Sequence, residues 1–113
     1  MADNKKDDSY YIEKILTDLK FIMDHTAEKT KTDLSQDEVL LDSIMFRIIQ
    51  IAENSNRLTP HFLESHPDVP WYSIRGMRNR IVHAYGDVNL TIVFDTVTRG
   101  IPEMFKKLSV IIK

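Results

Sequence analysis

The chain has 113 residues, a formal net charge of −2 and 42% hydrophobic residues, values that are ordinary for one small globular protein. We therefore expect a single domain over residues 1–113. The sequence has no cysteine, which excludes disulfides and thiolate metal sites. It has no apolar run of about 18 residues, as a transmembrane helix needs, and no apolar signal-peptide core at its start. A soluble cytoplasmic protein is the expectation.

The charge is distributed unevenly along the chain. Residues 1–70 hold 8 Lys and Arg against 14 Asp and Glu, whereas residues 71–113 hold 7 against 3. An anionic ligand is therefore expected to bind the C-terminal part. Since the whole chain is slightly acidic, phosphate contacts should be few and the affinity should be salt-sensitive.

Apolar residues recur at helical spacing from the start of the chain, and no alternating strand pattern competes with them. The first helix is predicted over 9–29, with Asp8 or Ser9 as its N-cap. The polar segment 28–33 is interpreted as a turn. The residues that repeat on the core-facing side of the first helix are Ile12, Ile15, Leu16, Leu19, Ile22 and Met23.

A second helix is predicted over 36–57. Ser35 and Glu38 match a capping box ahead of its apolar run. Val39 and Phe46 lie on a different side of this helix from its core-facing residues. A helix that is apolar on two sides packs against two partners, and one of them is predicted to be another subunit.

The second half of the chain continues the helical pattern. A short helix is predicted over 60–65, and a fourth helix starts near Pro70 and ends at Gly86. Asn89 is predicted to cap a last helix, whose inward-facing residues continue as far as Ile112. Pro102 should kink this helix by removing a backbone hydrogen bond. The predicted fold is all-α, an up-and-down bundle of four long helices and one short helix.

The segment Trp71–Tyr85, WYSIRGMRNRIVHAY, brings three arginines and a histidine together without an acidic residue. Placed on a helix, its apolar residues share one arc, and Arg78 falls inside that arc. The adjoining polar face is formed by Arg75, Asn79, Tyr72, His83 and Gly76, and Arg75 is a candidate supporting residue. An arginine on a core-facing stripe must pair with an acid or face a site where an anion binds, because an unpaired buried charge costs several kcal/mol.

Ordinary structural interpretations exist for the same residues. Arg78 could simply pair with a core acid such as Glu53. His83 suits the C-terminus of a helix, where the helix dipole favours a cation. Tyr85 lies on the apolar stripe, which is typical of a core tyrosine. Gly76 is either a packing glycine or a position where a partner or RNA approaches closely.

The segment 48–103 resembles the HepT proteins of the HEPN superfamily. The likeness is carried by the runs AENSNRL, PDVPW, RGMRNRIVHAY and DVNLTIVFDTV. HepT proteins are all-α and dimeric, and they are the toxins of type VII-like toxin–antitoxin pairs whose antitoxin is a minimal nucleotidyltransferase, MntA. The resemblance therefore implies a homodimer, an MntA-like partner and an RNA substrate, with no cofactor and no membrane.

The resemblance also implies roles for individual residues. The superfamily's R-x(4–6)-H motif is associated with metal-independent RNA cleavage, and it corresponds here to Arg78 and His83 as the catalytic pair. Asn79 is the polar residue that follows the arginine, and Glu53 matches an acidic position of the preceding helix. Tyr85 matches the tyrosine to which the antitoxin transfers AMP.

The chemistry suits these residue types. Histidine titrates near neutrality and can accept or donate the proton of an RNA hydroxyl, which contributes about 10²–10⁴-fold to the rate. Arginine offers a planar fork to phosphate oxygens. On an ideal helix, however, Arg78 and His83 point about 140° apart. Both can address one phosphate if the helix loosens near His83, or if a second subunit supplies half of the site.

The sequence leaves more than one function open. The first is a toxin ribonuclease acting on tRNA or mRNA. The second is a non-enzymatic subunit whose basic surface binds a nucleotidyltransferase or a nucleotide. The third is a purely structural four-helix adaptor.

Overall fold

The computed structural model describes residues 7–111, apart from the side chain of Tyr85. No strand forms in this part of the chain, so the prediction of an all-α fold is confirmed. The helices in this range are α1 (Asp8–Thr26), α2 (Lys31–Ser35), α3 (Glu38–Ser55), α4 (Pro60–Ser65), α5 (Trp71–His83), α6 (Leu90–Asp95) and α7 (Ile101–Ile111). None of them is long and apolar enough to cross a membrane.

The first helix begins at Asp8, one residue before its predicted start. Asp7, and not Asp8 or Ser9, is the N-cap, and its carboxylate accepts a hydrogen bond of 3.1 Å from the backbone N–H of Tyr10. That bond, followed by one from the hydroxyl of Ser9, lowers the pKa of the Asp7 carboxyl. Asp8 has a different partner. It accepts hydrogen bonds from both the backbone N–H and the hydroxyl of Thr59, which tie the start of α1 to the start of α4.

The segment after α1 is only partly the turn that its polarity predicts. The chain does turn at Glu28, whose φ of 62° lies in the left-handed region. Lys31–Ser35 then forms the short helix α2, which the prediction missed. Thr30 and Asp33 cap each other reciprocally in a capping box, and Leu34 is fully buried. A cap at one end and an apolar anchor at the other are enough to fold one helical turn.

The predicted capping box at Ser35 and Glu38 is wrong. Ser35 belongs to α2, and its hydroxyl donates to the carbonyl oxygen of Thr32. The N-cap of α3 is Asp37, whose carboxylate accepts a hydrogen bond of 3.0 Å from the backbone N–H of Leu40. Aspartate and serine are about equally good caps. Here Ser35 is the last residue of α2, so the cap of α3 is Asp37.

The core lies between α1, α3, α5 and the C-terminal helices. α1 packs against α3 and α7, α3 packs against α5, and α2 lies against α3 and α6. The core-facing residues predicted for the long helices are buried or half-buried, except that Val82 and Ala84 are exposed and that Ile112 and the side chain of Tyr85 lie outside the described residues. The fully buried large side chains include Ile12, Ile15, Leu19, Ile22, Ile44, Ile48, Ile51, Ile81, Ile101, Met104 and Leu108.

The last helix is interrupted where the proline predicts a disturbance. A π-helical segment, Thr96–Gly100, separates α6 from α7. The N–H of Ile101 reaches back to the carbonyl oxygen of Thr96, and Pro102 has no N–H to offer to Thr98. The helical turn before the proline therefore contains one extra residue.

Candidate functional site

The face that α5 turns to the core is fixed by apolar residues along its length. Ile74, Met77 and Ile81 are buried, and the indole N–H of Trp71 donates a hydrogen bond of 3.0 Å to the carbonyl oxygen of His66. The apolar arc predicted for this helix is too wide, because Val82 is exposed and the helix ends before residue 84. The flank and the outer face of α5 are therefore left to polar residues.

Arg78 lies on the flank of α5 that faces α3. Its Nε and Nη2 atoms lie 3.2 and 2.8 Å from the same carboxylate oxygen of Glu53. The two side chains are 31% and 40% exposed, so the pair is neither buried in the core nor free in solvent. The structural interpretation of Arg78 as the partner of Glu53 is thus correct as far as the contact goes. The outer edge of the guanidinium still has N–H groups directed away from Glu53.

Asn79 connects the two halves of the motif. Its side-chain oxygen accepts a hydrogen bond of 3.1 Å from Nη1 of Arg78. Asn79 also lines a cleft of about 460 Å³ in which His83 takes part. The polar residue that follows the arginine therefore contacts Arg78 on one side and borders the histidine's cleft on the other.

His83 is the last residue of α5, and its side chain is exposed. The cleft that it lines is closed on the far side by the 3₁₀ turn Tyr85–Asp87 and the start of α6, where Asp87 and Ile92 contribute to the wall. Asn89 also lines the cleft, and as predicted it caps α6 by accepting a hydrogen bond from the N–H of Ile92. An exposed imidazole at the edge of a cleft can exchange protons with a bound hydroxyl.

Arg78 and His83 do not meet within one chain. α5 stays helical as far as His83, and the backbone leaves the helical region only at Ala84, with φ −144° and ψ 47°. The two side chains therefore keep the separation of about 140° that the helix imposes. No contact between them exists among the described residues.

Arg75 is exposed on the outer part of α5 and makes no ion pair with another residue in 7–111. It is one turn away from Arg78 and Asn79, so it adds positive charge to this end of the molecule without touching the pair. In the same range, no three His, Asp or Glu side chains are grouped as a metal site requires.

The position of Tyr85 differs from the helical-wheel prediction. The wheel put Tyr85 on the same face as Arg78, but α5 ends at His83 and the backbone of Tyr85 belongs to the 3₁₀ turn. The non-helical conformation of Ala84 breaks the spacing on which that prediction relied. The Tyr85 side chain lies outside the described part of the structure, so its role as an AMP acceptor stays a prediction.

Gly76 is not a packing glycine. A methyl group added to its Cα would find no heavy atom within 4 Å among its surroundings. Of the two interpretations left open for this glycine, the packing role is excluded. Gly76 is an open position on the outer face of α5.

Sequence reasoning missed the far wall of the cleft and Arg80, which also lines it. Arg80 was noticed only as part of a basic run. Asp87, Val88 and Ile92 belong to the run DVNLTIVFDTV but had no site role assigned to them, and they reach His83 because the chain turns back after α5. Gly86, a predicted helix terminator, and Asn89, a predicted helix cap three residues later, were the signals that the chain folds back there.

The family model described as "Ribonuclease HepT-like" matches residues 7–111. The chain belongs to the HepT-like family. A relative from Caldanaerobacter subterraneus subsp. tengcongensis, named "Putative RNase TTE0752", is 32% identical over 103 residues, which cover 91% of this chain and 92% of the relative.

A second HepT-like relative comes from Thermococcus cleftensis. It is named "Probable ribonuclease HepT", and it is 28% identical over 107 residues that cover 92% of this chain and 97% of its own. No solved structure matches the chain significantly. The HepT resemblance found on the sequence motifs is therefore confirmed over nearly the whole chain.

The energetic weight of the Arg78–Glu53 pair is the first testable point. Because both side chains are more than a quarter exposed, we expect a coupling energy of at most about 1 kcal/mol in a double-mutant cycle with Arg78→Ala and Glu53→Ala. Urea unfolding of the four proteins measures it. The matched cycle is Asp18 and Arg47, whose carboxylate side chain is only 13% exposed and whose coupling should be larger.

A coupling of several kcal/mol at Arg78–Glu53 would contradict this expectation. It would show that the pair is mainly a structural element of the α3–α5 interface, as buried ion pairs are when one partner is removed.

Proposed function

We propose that this HepT-like protein is a metal-independent endoribonuclease that cleaves tRNA or mRNA and acts as the toxin of a toxin–antitoxin pair. The observation that carries the proposal is the geometry of the R-x-x-x-x-H motif in a HepT-like chain. Arg78 is held in a half-exposed pair with Glu53, and His83 is exposed and lines a cleft.

The reaction needs only a proton acceptor, a proton donor and a stabiliser of phosphate charge. His83 takes the proton of the RNA 2′-hydroxyl, whose oxygen attacks the adjacent phosphorus. The bond from phosphorus to the 5′-oxygen breaks, leaving a 2′,3′-cyclic phosphate. A protonated imidazole from a second copy of the chain gives its proton to the leaving oxygen. The outer N–H groups of Arg78 bind the non-bridging oxygens while charge builds up on them.

Glu53 and Asn79 act as positioning residues in this proposal. A free arginine side chain samples many rotamers, and ordering it on substrate costs up to about 2 kcal/mol. The bonds to Glu53 and Asn79 hold the guanidinium in one orientation before RNA arrives. Preorganisation of this kind is how a charged donor stabilises a transition state without rearranging during the reaction.

Since Arg78 and His83 do not meet within one chain, a homodimer is needed to bring Arg78 of one copy close to His83 of the other. Val39 and Phe46 are 78% and 57% exposed on α3. With Glu53 they recur at intervals of seven residues, so the three share one face of the helix. A second copy packed on this face would cover the two apolar side chains. It would also bring the Arg78–Glu53 pair of each chain to the subunit interface.

Control of the toxin is assigned to an MntA-like nucleotidyltransferase that transfers AMP to Tyr85. The tyrosine hydroxyl attacks the α-phosphorus of ATP, pyrophosphate leaves, and the hydroxyl proton is released. Since Tyr85 lies in the turn beside the His83 cleft, the added nucleotide would put its bulk and its negative phosphate where RNA has to bind. Charge-adding modifications inactivate binding sites for anions in this way.

The alternative is a non-enzymatic subunit in which the same basic surface binds the nucleotidyltransferase or a nucleotide. The Arg78–Glu53 contact is the observation that favours it, because such a pair is also compatible with a purely structural role. The two functions differ in whether RNA is cut.

Catalysis is tested with the purified protein, mixed cellular RNA and EDTA. We expect Arg78→Ala and His83→Ala each to reduce cleavage by at least about 10²-fold and to abolish growth inhibition, with helix content unchanged. His61→Ala and Arg99→Ala are matched controls, since both side chains are exposed and lie outside the site. Undiminished cleavage by either motif variant would exclude the ribonuclease mechanism proposed above.

The homodimer is tested by light scattering at micromolar concentration. The wild-type chain should have the mass of two copies, and Phe46→Glu should give a folded monomer, because it places a charge in the centre of the apolar face. Val110→Glu serves as the control, since Val110 is an exposed apolar residue on α7 and away from α3. A wild-type monomer, or a Phe46→Glu protein that remains dimeric, would contradict the proposed interface.

Modification is tested by intact-mass spectrometry after incubation with the partner nucleotidyltransferase, ATP and magnesium. The wild type and Tyr72→Phe should gain the mass of AMP and lose RNA cleavage, whereas Tyr85→Phe should gain nothing and stay active. Tyr72 is the matched control because it is an exposed tyrosine on the neighbouring helix. A mass gain that persists in Tyr85→Phe would place the modification on another residue.

A further inference from the structure

An aromatic residue stands at the opposite end of α5 from His83, on the same outer face. Tyr72, Gly76, Asn79 and His83 fall within about 60° of one another on the helix, and all four are exposed. Tyr72 is the most exposed large hydrophobic residue of the described chain, at 84%. A tyrosine so exposed contributes little to folding, since most of its ring remains in water.

Two clefts join these residues into one furrow between α5 and α6. The first, of about 300 Å³, is lined by Tyr72, Gly76 and Thr96 together with Arg80 and Ile92. The second is the His83 cleft of about 460 Å³, and Arg80 and Ile92 line it as well. The furrow is therefore this pair of adjoining clefts, which together extend from Tyr72 to His83, a distance of about 16 Å along the helix axis.

The furrow has the chemistry that a nucleic acid strand requires. Tyr72 presents an aromatic ring at one end, and Arg80 offers a guanidinium between the two clefts. Gly76 leaves the floor between them without a side chain, and nothing nearby would fill the space. α5 contains no acidic residue. Asp87 lines the His83 end of the furrow, so the cationic contact to the RNA backbone within the furrow is expected at Arg80.

We propose that this furrow is the track for single-stranded RNA, in which Tyr72 stacks on an unpaired base and Arg80 contacts the backbone. The proposal rests on the proposed function, because the strand must lead to His83 for cleavage. A base can stack on the Tyr72 ring only if it is unpaired. The substrate class that fits the track is therefore single-stranded RNA, such as tRNA loops and unfolded mRNA.

The test is fluorescence anisotropy of a labelled, short 2′-O-methyl RNA at several salt concentrations. This RNA has no free 2′-hydroxyl, so binding is measured without cleavage. Tyr72→Ala should weaken binding about 5- to 150-fold, the range that corresponds to one base–aromatic stack. Its salt dependence should not change. Tyr72→Phe keeps the ring and should bind as the wild type does.

Arg80→Ala provides a variant with a different signature. Removing one phosphate contact should reduce the slope of log affinity against log salt by about 0.7. A single-stranded RNA should bind more tightly than the same sequence in a duplex. Circular dichroism and thermal unfolding of every variant check that the fold is intact, which is expected because Tyr72 and Arg80 are exposed.

The outcomes separate this proposal from the proposed function. If the wild-type protein does not cut unmodified RNA but Tyr72→Ala weakens RNA binding, the track is supported and the ribonuclease is rejected. Normal cleavage with unchanged affinity and KM in Tyr72→Ala would reject the track and leave the ribonuclease standing. If Tyr72→Ala instead impairs binding of the nucleotidyltransferase while RNA affinity stays unchanged, the furrow is a protein-binding surface and the proposal is overturned.

Discussion

The contact between Arg78 and Glu53 sets the chemical character of this end of the molecule. It joins α5 to α3 at 2.8 Å and gives the guanidinium one orientation, which Asn79 reinforces from the next position along the helix. A carboxylate that fully enclosed the arginine would neutralise it for any other anion. Here both partners remain partly exposed, so Glu53 orients the guanidinium without enclosing it.

α3 is held by an arginine–carboxylate pair on each flank, and the two pairs differ in their surroundings. Toward α1, Arg47 lies 2.7 Å from Asp18 and stacks on the ring of Phe21 at 3.8 Å. Its carboxylate partner is almost buried, which suits a pair that fixes two helices. Toward α5, the pair of Glu53 is open to solvent. The two arginines are almost equally exposed, at 30% and 31%, so the difference between the pairs lies in their carboxylates, which are 13% and 40% exposed.

The three faces of α5 explain how one helix of 13 residues serves several purposes. Its buried isoleucines and methionine fix the rotation of the helix about its axis. That rotation points Arg78 at α3 and leaves Tyr72, Gly76 and His83 outward. Since the spacing of residues on a helix is fixed, one rigid element can present a charged flank and an outer furrow at constant separation, while α6 closes the furrow from the other side.

The sequence by itself determined the helical class, the members of the core and the motif. Periodic apolar residues and cap residues are local signals, and the HepT-like runs are a property of the sequence. Local signals failed where two of them competed. Ser35 and Asp37 could both start a helix, and the burial of Leu34 in the tertiary fold decided between them. The short helix α2 was missed for the same reason.

Only the tertiary structure decided what each motif residue faces. The sequence offered Glu53 as one possible partner of Arg78, but the pairing depends on how α3 and α5 pack. The end of α5 at His83 placed Tyr85 in a turn and off the helical face, because backbone conformation at Ala84 is set by the return of the chain to α6. The furrow exists for the same physical reason. Its walls come from α5 and from the chain that turns back after it, and the packing of α6 beside α5, which no local pattern encodes, brings them together.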